Sequence, residues 1–232
     1  MNRTLYRIHN SLPGWRLRNS LIRELIRLPG MPLWMKALPH TMVRRACLLA
    51  LTEHAKAVTR ANVPGAFVEC GVAEGGSALL LAKLRTQLDP SREVWLFDTF
   101  EGLPPPSSDD ADYDTAVQWI GLCRGELADI QRLMTRHNEP RVRYVKGLYQ
   151  ETMPAGPLPA SIAVLHLDAD WYDSTMTCLR HLWPRVSPGG RVQFDDYGAW
   201  AGCFKAVQEF FGPQAHIHQI EPKGAIWIEK TS

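Results

Sequence analysis

The sequence predicts an α/β domain with a mostly parallel β-sheet, helices on both faces and an antiparallel hairpin at the C-terminal end. Three observations predict it. From residue 66 onward, short apolar runs alternate with helical stretches, the pattern of parallel strands buried on both faces beneath connecting helices. The last two runs are joined only by Pro222-Lys223-Gly224, too short for a crossover helix and suited to an antiparallel return. With 232 residues, 45% apolar and 22% charged, the chain has the composition of one packed globular domain.

In chain order, residues 1–60 read as a helical arm or cap. Leu17, Leu21, Leu25 and Leu28 share one face, with Ile22 and Ile26 beside them and Arg18, Arg23 and Arg27 largely off it. Pro29 stops this helix, and a second pattern runs from about Met42 to Arg60. Either the first helix covers a membrane surface or a substrate, or it docks on its own domain or a partner subunit. Docking is the expectation, with a homo-oligomer through the N-terminal helices. The body, 61–232, carries predicted strands at Ala66–Cys70, Glu93–Asp98, Arg141–Lys146, Ser161–Asp168, Arg191–Asp195, His216–Ile220 and Ala225–Glu229. Predicted helices are Ser77–Leu88, Thr115–His137, Ser174–Trp183 and Trp200–Phe211.

The formal charge of +2 gives no argument for nucleic acid, although residues 1–50 carry a local +8 and the remainder −6. Five scattered cysteines without a C-x-x-C pair fit reduced thiols in a cytoplasmic protein. No run approaches the length of a membrane span, so no stable membrane insertion is expected.

Ligands of such sheets bind beyond the carboxyl ends of the strands. After the first strand, Glu69-Cys70-Gly71-Val72-Ala73-Glu74-Gly75-Gly76-Ser77 leads into a leucine-rich helix. Its glycines permit close backbone approach, and the helix start offers unpaired N–H groups. The spacing is not G-x-G-x-x-G, which argues against a nicotinamide-dependent oxidoreductase. Asp98, at the tip of the next strand, is placed to accept both hydroxyls of a ribose, or to cap a turn. Asp168, Asp195 and Asp196 follow the fourth and fifth runs. If those strands are neighbours, three carboxylates crowd together and call for a cation, and an oxygen-only donor set favours Mg²⁺, Mn²⁺ or Ca²⁺ over zinc. Asp170 and Asp173 read as helix caps, and His166, inside an apolar strand, as a core histidine. His216 and His218 share a strand face without a third metal ligand nearby. Trp95, Trp183 and Trp227 read as core, and Trp119 either touches a ligand or packs beneath it.

Taken together these segments resemble the macrocin O-methyltransferase family. The resemblance is carried by Phe67-Val68-Glu69-Cys70-Gly71-Val72 with Gly75-Gly76, Asp98-Thr99-Phe100-Glu101-Gly102-Leu103-Pro104, and Val145-Lys146-Gly147 with Glu151-Thr152-Met153-Pro154. Leu167-Asp168-Ala169-Asp170-Trp171-Tyr172-Asp173-Ser174-Thr175 and Asp195-Asp196-Tyr197-Gly198 complete it. It runs from about residue 40 to the end. It implies a Rossmann-like class I methyltransferase fold with a seven-stranded sheet. It also implies S-adenosylmethionine and Mg²⁺ (or Mn²⁺) as cofactors, and a small-molecule hydroxyl acceptor, namely a sugar of a glycosylated natural product. Position by position, Glu69, Gly71, Gly75, Gly76 and Ser77 would line the methionine end of S-adenosylmethionine and Asp98 its ribose. Asp168, Asp195 and Asp196 would hold the metal, with Asp168 also the general base. Ala73 stands where the wider class has glycine. The acidic, proline-rich stretch 101–119 reads as a lid with little apolar surface to bury. A catechol-type acceptor and a silent S-adenosylmethionine-binding module are the other readings. Three crowded acids cost stability and weigh against the silent module.

Overall fold

A computed structural model describes residues 30–139, 141–220 and 224–231. The predicted amphipathic helix at 17–28, and any oligomer built on it, lie outside the described residues.

Seven strands form one sheet in the order β3-β2-β1-β4-β5-β7-β6. They are β1 Ala66–Cys70, β2 Val94–Asp98, β3 Val142–Lys146, β4 Ile162–Leu167, β5 Val186–Phe194, β6 His218–Ile220 and β7 Ala225–Glu229. Pairs among β1 to β5 are parallel, and β7 runs antiparallel to both β5 and β6. The predicted architecture is therefore the observed one, and β4 and β5 are neighbours as the acid-cluster argument required. β1 and β4 are buried along their whole length, as apolar central strands must be when helices cover both faces.

The described helices are α1 Leu33–Ala37, α2 Arg45–Arg60, α3 Gly76–Leu88, α4 Tyr113–Ala116, α5 Leu127–Arg136, α6 Tyr149–Ala155, α7 Tyr172–Leu182 and α8 Ala201–Phe211. Leu48, Leu51, Ala55 and Val58 of α2 pack with α3 and with Phe67, Leu96 and Val164 of the sheet in one core cluster. The second half of the predicted arm is thus a layer of the domain. On the other face, Leu179, Cys178 and Val207 from α7 and α8 pack with Val68, Leu165 and Phe194.

Three elements differ from expectation. The single helix predicted over 115–137 is broken: α4 continues as a 3₁₀ turn over Val117–Trp119, and α5 starts only at Leu127. Gly121, at φ 72°, and Gly125 lie in the break, and a Cβ on Gly125 would overlap Ala73 O. The chain here must cross the glycine loop closely, which a continuous helix cannot do. β5 begins at Val186, earlier than expected, because its pairing with β4 slips between Ile162 and Val164 and absorbs Pro188-Gly189-Gly190. α6, with Pro154 inside it, had no apolar periodicity to announce it.

Candidate active site

A cleft of about 980 Å³ opens at the carboxyl ends of the strands, lined by Gly71, Ala73, Asp98, Asp168, Asp170, Asp195 and Asp196 among others. Gly71 has φ 90°, and a Cβ on it would overlap the Asp168 carbonyl oxygen. Only glycine lets the β1 and β4 tips close up here, where Asp168 N–H donates to Cys70 O at 2.9 Å.

Asp98 binds the glycine loop itself. Its Oδ2 accepts N–H groups from Val72 (2.6 Å) and Ala73 (3.3 Å), and its Oδ1 accepts that of Phe100 (2.6 Å). Burial pushes its carboxyl up from the ordinary value, against the pull of these backbone donors. The Thr99 hydroxyl adds a longer hydrogen bond to Oδ1 at 3.3 Å, and Asp98 lines the cleft.

The other loop residues lie behind this wall. Gly75, at φ 86°, starts α3, and a Cβ on it would press on Ile130 and Leu133 of α5. A Cβ on Gly76 would stand 2.6 Å from Ala37 O, and Ser77 is buried in the first turn of α3. These three are not among the cleft-lining residues, and neither is Glu69. Glu69 is fully buried with its Oε1 2.8 Å from His166 Nδ1, because β1 and β4 pair in a register that puts the two residues opposite each other. His166 Nε2 stands 4.0 Å from Asp195 Oδ1, an ion-pair distance longer than a hydrogen bond. Burial works against a charged ring, but the Asp195 and Glu69 carboxylates outweigh it and raise His166 to about 9. Burial likewise opposes ionisation of Asp195, and His166, Cys47 and Arg44 together outweigh it, holding Asp195 below the ordinary carboxylate range.

Asp168 and Asp196 have no such cation. Burial and the neighbouring charges of Asp196 and Asp195 push Asp168 far up, and burial with the Asp195 charge raises Asp196 to about 6. Each therefore raises the cost of ionising the other. The three predicted metal acids thus meet in one cleft, yet among the described residues no three His, Cys, Asp or Glu side chains converge as a metal site. Oxygen donors short of positive charge fit Mg²⁺; Asp168 and Asp196 supply them, while Asp195 leans toward His166.

Asp170 is the residue whose role the cap reading missed. The α7 cap position is Trp171, and the Tyr172 N–H is taken by Asp110 Oδ1 at 2.8 Å, 62 residues away in sequence. Asp170, at φ 55°, turns into the cleft instead, its carboxyl pushed far up by burial and by Asp196. Its acid-x-acid spacing with Asp168 was the available signal. Met42, Val43 and Arg44, just before α2, line the cleft as well; nothing local marks them, since their placement depends on how α2 packs.

The 101–119 stretch is docked over the cleft. Trp171 Nε1 donates to Pro104 O at 2.7 Å, Asp112 Oδ2 accepts the Ala201 N–H at 3.3 Å, and Lys205 pairs with Asp109 at 2.6 Å. Trp119 meets Trp200 edge-on at 5.9 Å, and Trp200 meets Trp171 at 4.9 Å. In this position Asp109, Asp110 and Asp112 of the stretch each bond to α7 or α8.

Comparison with known proteins places this fold among O-methyltransferases. The chain is 35% identical over 197 residues to the 8-demethyl-8-(2,3-dimethoxy-alpha-L-rhamnosyl)-tetracenomycin-C 4'-O-methyltransferase of Streptomyces olivaceus, covering 81% of this chain and 75% of that one. It is 33% identical to mycinamicin III 3''-O-methyltransferase of Micromonospora griseorubida, covering 81% and 78%. The solved structure of the O-methyltransferase NovP superposes with a TM-score of 0.75 at 30% identity, covering 83% of each chain. The macrocin O-methyltransferase family model matches residues 3–228, reaching well before residue 40, where the resemblance seen in the sequence began. With the glycine loop, the Asp98 clamp and the acid-lined cleft in place, the chain belongs to the macrocin O-methyltransferase family and is an O-methyltransferase.

Proposed function

We propose that the protein transfers the methyl group of S-adenosylmethionine to a hydroxyl on a sugar of a glycosylated small molecule, with Mg²⁺ as a second cofactor. One observation carries this reading: the Asp98-bound glycine loop at the β1 and β2 tips and the Asp168–Asp170–Asp196 acids at the β4 and β5 tips line one cleft. The first suits a nucleoside with its ribose, and the second a reacting hydroxyl.

Asp98 and the Gly71 turn hold the cofactor in this reading, and Glu69, Gly75, Gly76 and Ser77 support the loop from behind. Asp168 and Asp196 hold the cation, with Asp195 completing the set. Mg²⁺ bound there supplies positive charge that favours the ionised form of a hydroxyl. Asp168 accepts the hydroxyl proton as the methyl moves; Asp170, whose raised carboxyl faces the same space, is the second acceptor if Asp168 is committed to the cation. Trp119 of the strap, packed on Trp200 and through it on Trp171, shuts out water, and the remaining contribution is in-line positioning of oxygen against the sulfonium methyl. The rhamnosyl compound in the name of one relative supports a sugar over a catechol, and membership of a methyltransferase family sets aside nicotinamide chemistry.

The test is labelled-methyl transfer from S-adenosylmethionine across a panel of glycosides and catechols, with and without chelator. Transfer to a glycoside that stops with chelator and returns with Mg²⁺ is expected. Full turnover in excess chelator would falsify the metal role, and preference for catechols would replace the sugar.

A further inference from the structure

Glu69, His166 and Gln193 stand side by side on β1, β4 and β5, because the strand registers set Glu69 against His166 and His166 against Gln193. All three are fully buried, on a sheet face otherwise packed by Phe67, Leu96 and Val164 beneath α2. Asp195 lies two residues beyond Gln193 and so on the same face. The His166 ring reaches it along the diagonal between neighbouring strands. The ring therefore spans three strands: Nδ1 is 2.8 Å from Glu69 Oε1 on β1, and Nε2 is 4.0 Å from Oδ1 of Asp195, just past the end of β5.

A buried carboxylate, imidazole and amide destabilise this layer relative to apolar side chains of the same size, which pack without losing water contacts. The row is therefore kept for something other than stability, and it ends at the cleft. Asp195 Oδ1 and His166 Nε2 are both buried without a hydrogen-bond partner, with only each other across the 4.0 Å between them. Asp195 nevertheless lines the cleft, with 13% of its side chain exposed. One oxygen is thus turned inward to the ring, which leaves Oδ2 as the oxygen that a cleft ligand can meet. Cys47 and Arg44 also approach Asp195; the His166 ring is in addition fixed at its far nitrogen, by Glu69.

We propose that His166 is a positioning residue for the cation: held by Glu69, it fixes the orientation of Asp195 and with it the third carboxylate offered to Mg²⁺. The inference rests on the Mg²⁺ reading above. It gives Glu69 a task of its own, which is to tie the strand that carries the glycine loop to the acid that completes the cation set. A carboxylate held in place before the cation arrives has less freedom to lose on binding it, which is why partners behind a metal ligand matter for affinity. The ring's own charge acts the other way, since a cation beside Asp195 repels a second one. Position and charge therefore predict opposite results.

The test is Mn²⁺ binding to the full chain saturated with S-adenosylhomocysteine, followed by electron paramagnetic resonance of the free ion. His166→Asn and His166→Gln remove the same charge. Asn keeps an amide near the Nδ1 position and falls short of Asp195, whereas Gln brings its amide close to the Nε2 position. Mn²⁺ should bind His166→Asn about ten-fold more weakly than wild type, the lower end of what a lost partner of a metal ligand costs. His166→Gln should recover most of that loss. S-adenosylhomocysteine affinity, measured by calorimetry, should be unchanged in both, which separates positioning from a collapsed fold. Equal Mn²⁺ binding by the two variants, or tighter binding than wild type in His166→Asn, overturns the proposal and leaves the Mg²⁺ reading standing. Should His166→Asn fail to fold, the wild type still decides. With isotope-labelled histidine, Mg²⁺ should shift the NMR resonance of His166 Nε2, and an unmoved resonance overturns the proposal. A wild type that takes up no Mn²⁺ overturns both readings.

Discussion

The two halves of the cleft are built from the same part of the fold, the carboxyl tips of adjacent parallel strands, and they are finished in opposite ways. At β1 and β2 the one acid, Asp98, has collected three backbone N–H groups and fixes the loop that would hold a nucleoside. At β4 and β5, Asp168, Asp170 and Asp196 press on one another, and only Asp195 has a histidine to face. The difference teaches where stability is kept and where it is given up. The first half is a finished seat. The second is a strained one that a proton or a cation relieves, the usual cost of an active site.

The largest expected effect comes from breaking the finished half. Asp98→Ala strands three backbone donors and should cost about 3 kcal/mol in urea unfolding, at about 1 kcal/mol each. A loss below about 1 kcal/mol would mean that the loop holds itself.

Breaking the strained half should do the reverse. Asp196 has a folded value of about 6 against an ordinary 3.8, so the folded state binds its proton more tightly than the unfolded chain does. Its charge therefore destabilises the fold fully above pH ~6, and the penalty disappears as pH falls toward ~4. In chelator, Asp196→Asn should gain about 2 kcal/mol at pH 7.5 and nothing at pH 4, while methyl transfer drops sharply. A variant less stable than wild type at pH 7.5 would contradict the strain.

The strap offers a sharper cut between packing and chemistry. Gly202→Ala places a Cβ where Asp110 Oδ1 sits, displaces Asp110 from the start of α7 and should cost about 1–2 kcal/mol, the value of a lost helix cap. Limited proteolysis should then cut within 101–119 faster than in wild type. Equal rates would show that the tryptophan contacts alone hold the strap.

The smallest effect belongs to the loop. Ala73 occupies the left-handed region at φ 45°, where a Cβ costs about 1 kcal/mol. Ala73→Gly should therefore raise stability by about 0.5 kcal/mol after the entropy that glycine adds to the unfolded chain, read as a small upward shift in Tm.

The sequence alone carried the strand order of chemistry but not its pairings. Apolar runs and the turns after them placed Gly71, Asp98, Asp168, Asp195 and Asp196 at strand tips, because a buried parallel strand must be apolar and its ligand-facing end cannot be. Whether Glu69 faces a ligand or a histidine depends on the β1–β4 register, a non-local fact that no run of residues encodes. Asp170 looked like a cap because its own helix begins two residues later; the cap comes from Asp110, which the local pattern showed only as part of an acidic, proline-rich stretch. The contacts of that stretch were hidden for the same reason: its partners, Trp171, Trp200 and Lys205, lie far along the chain.

Division of labour within the cleft is the central claim, and calorimetric titration of S-adenosylmethionine into two single variants tests it most directly. Asp168→Asn should bind the cofactor within about two-fold of wild type while losing methyl transfer, and Asp98→Asn should lose ten-fold or more in affinity, the scale of a charged hydrogen bond. Equal losses of cofactor affinity in the two variants, or wild-type affinity in Asp98→Asn, would contradict it.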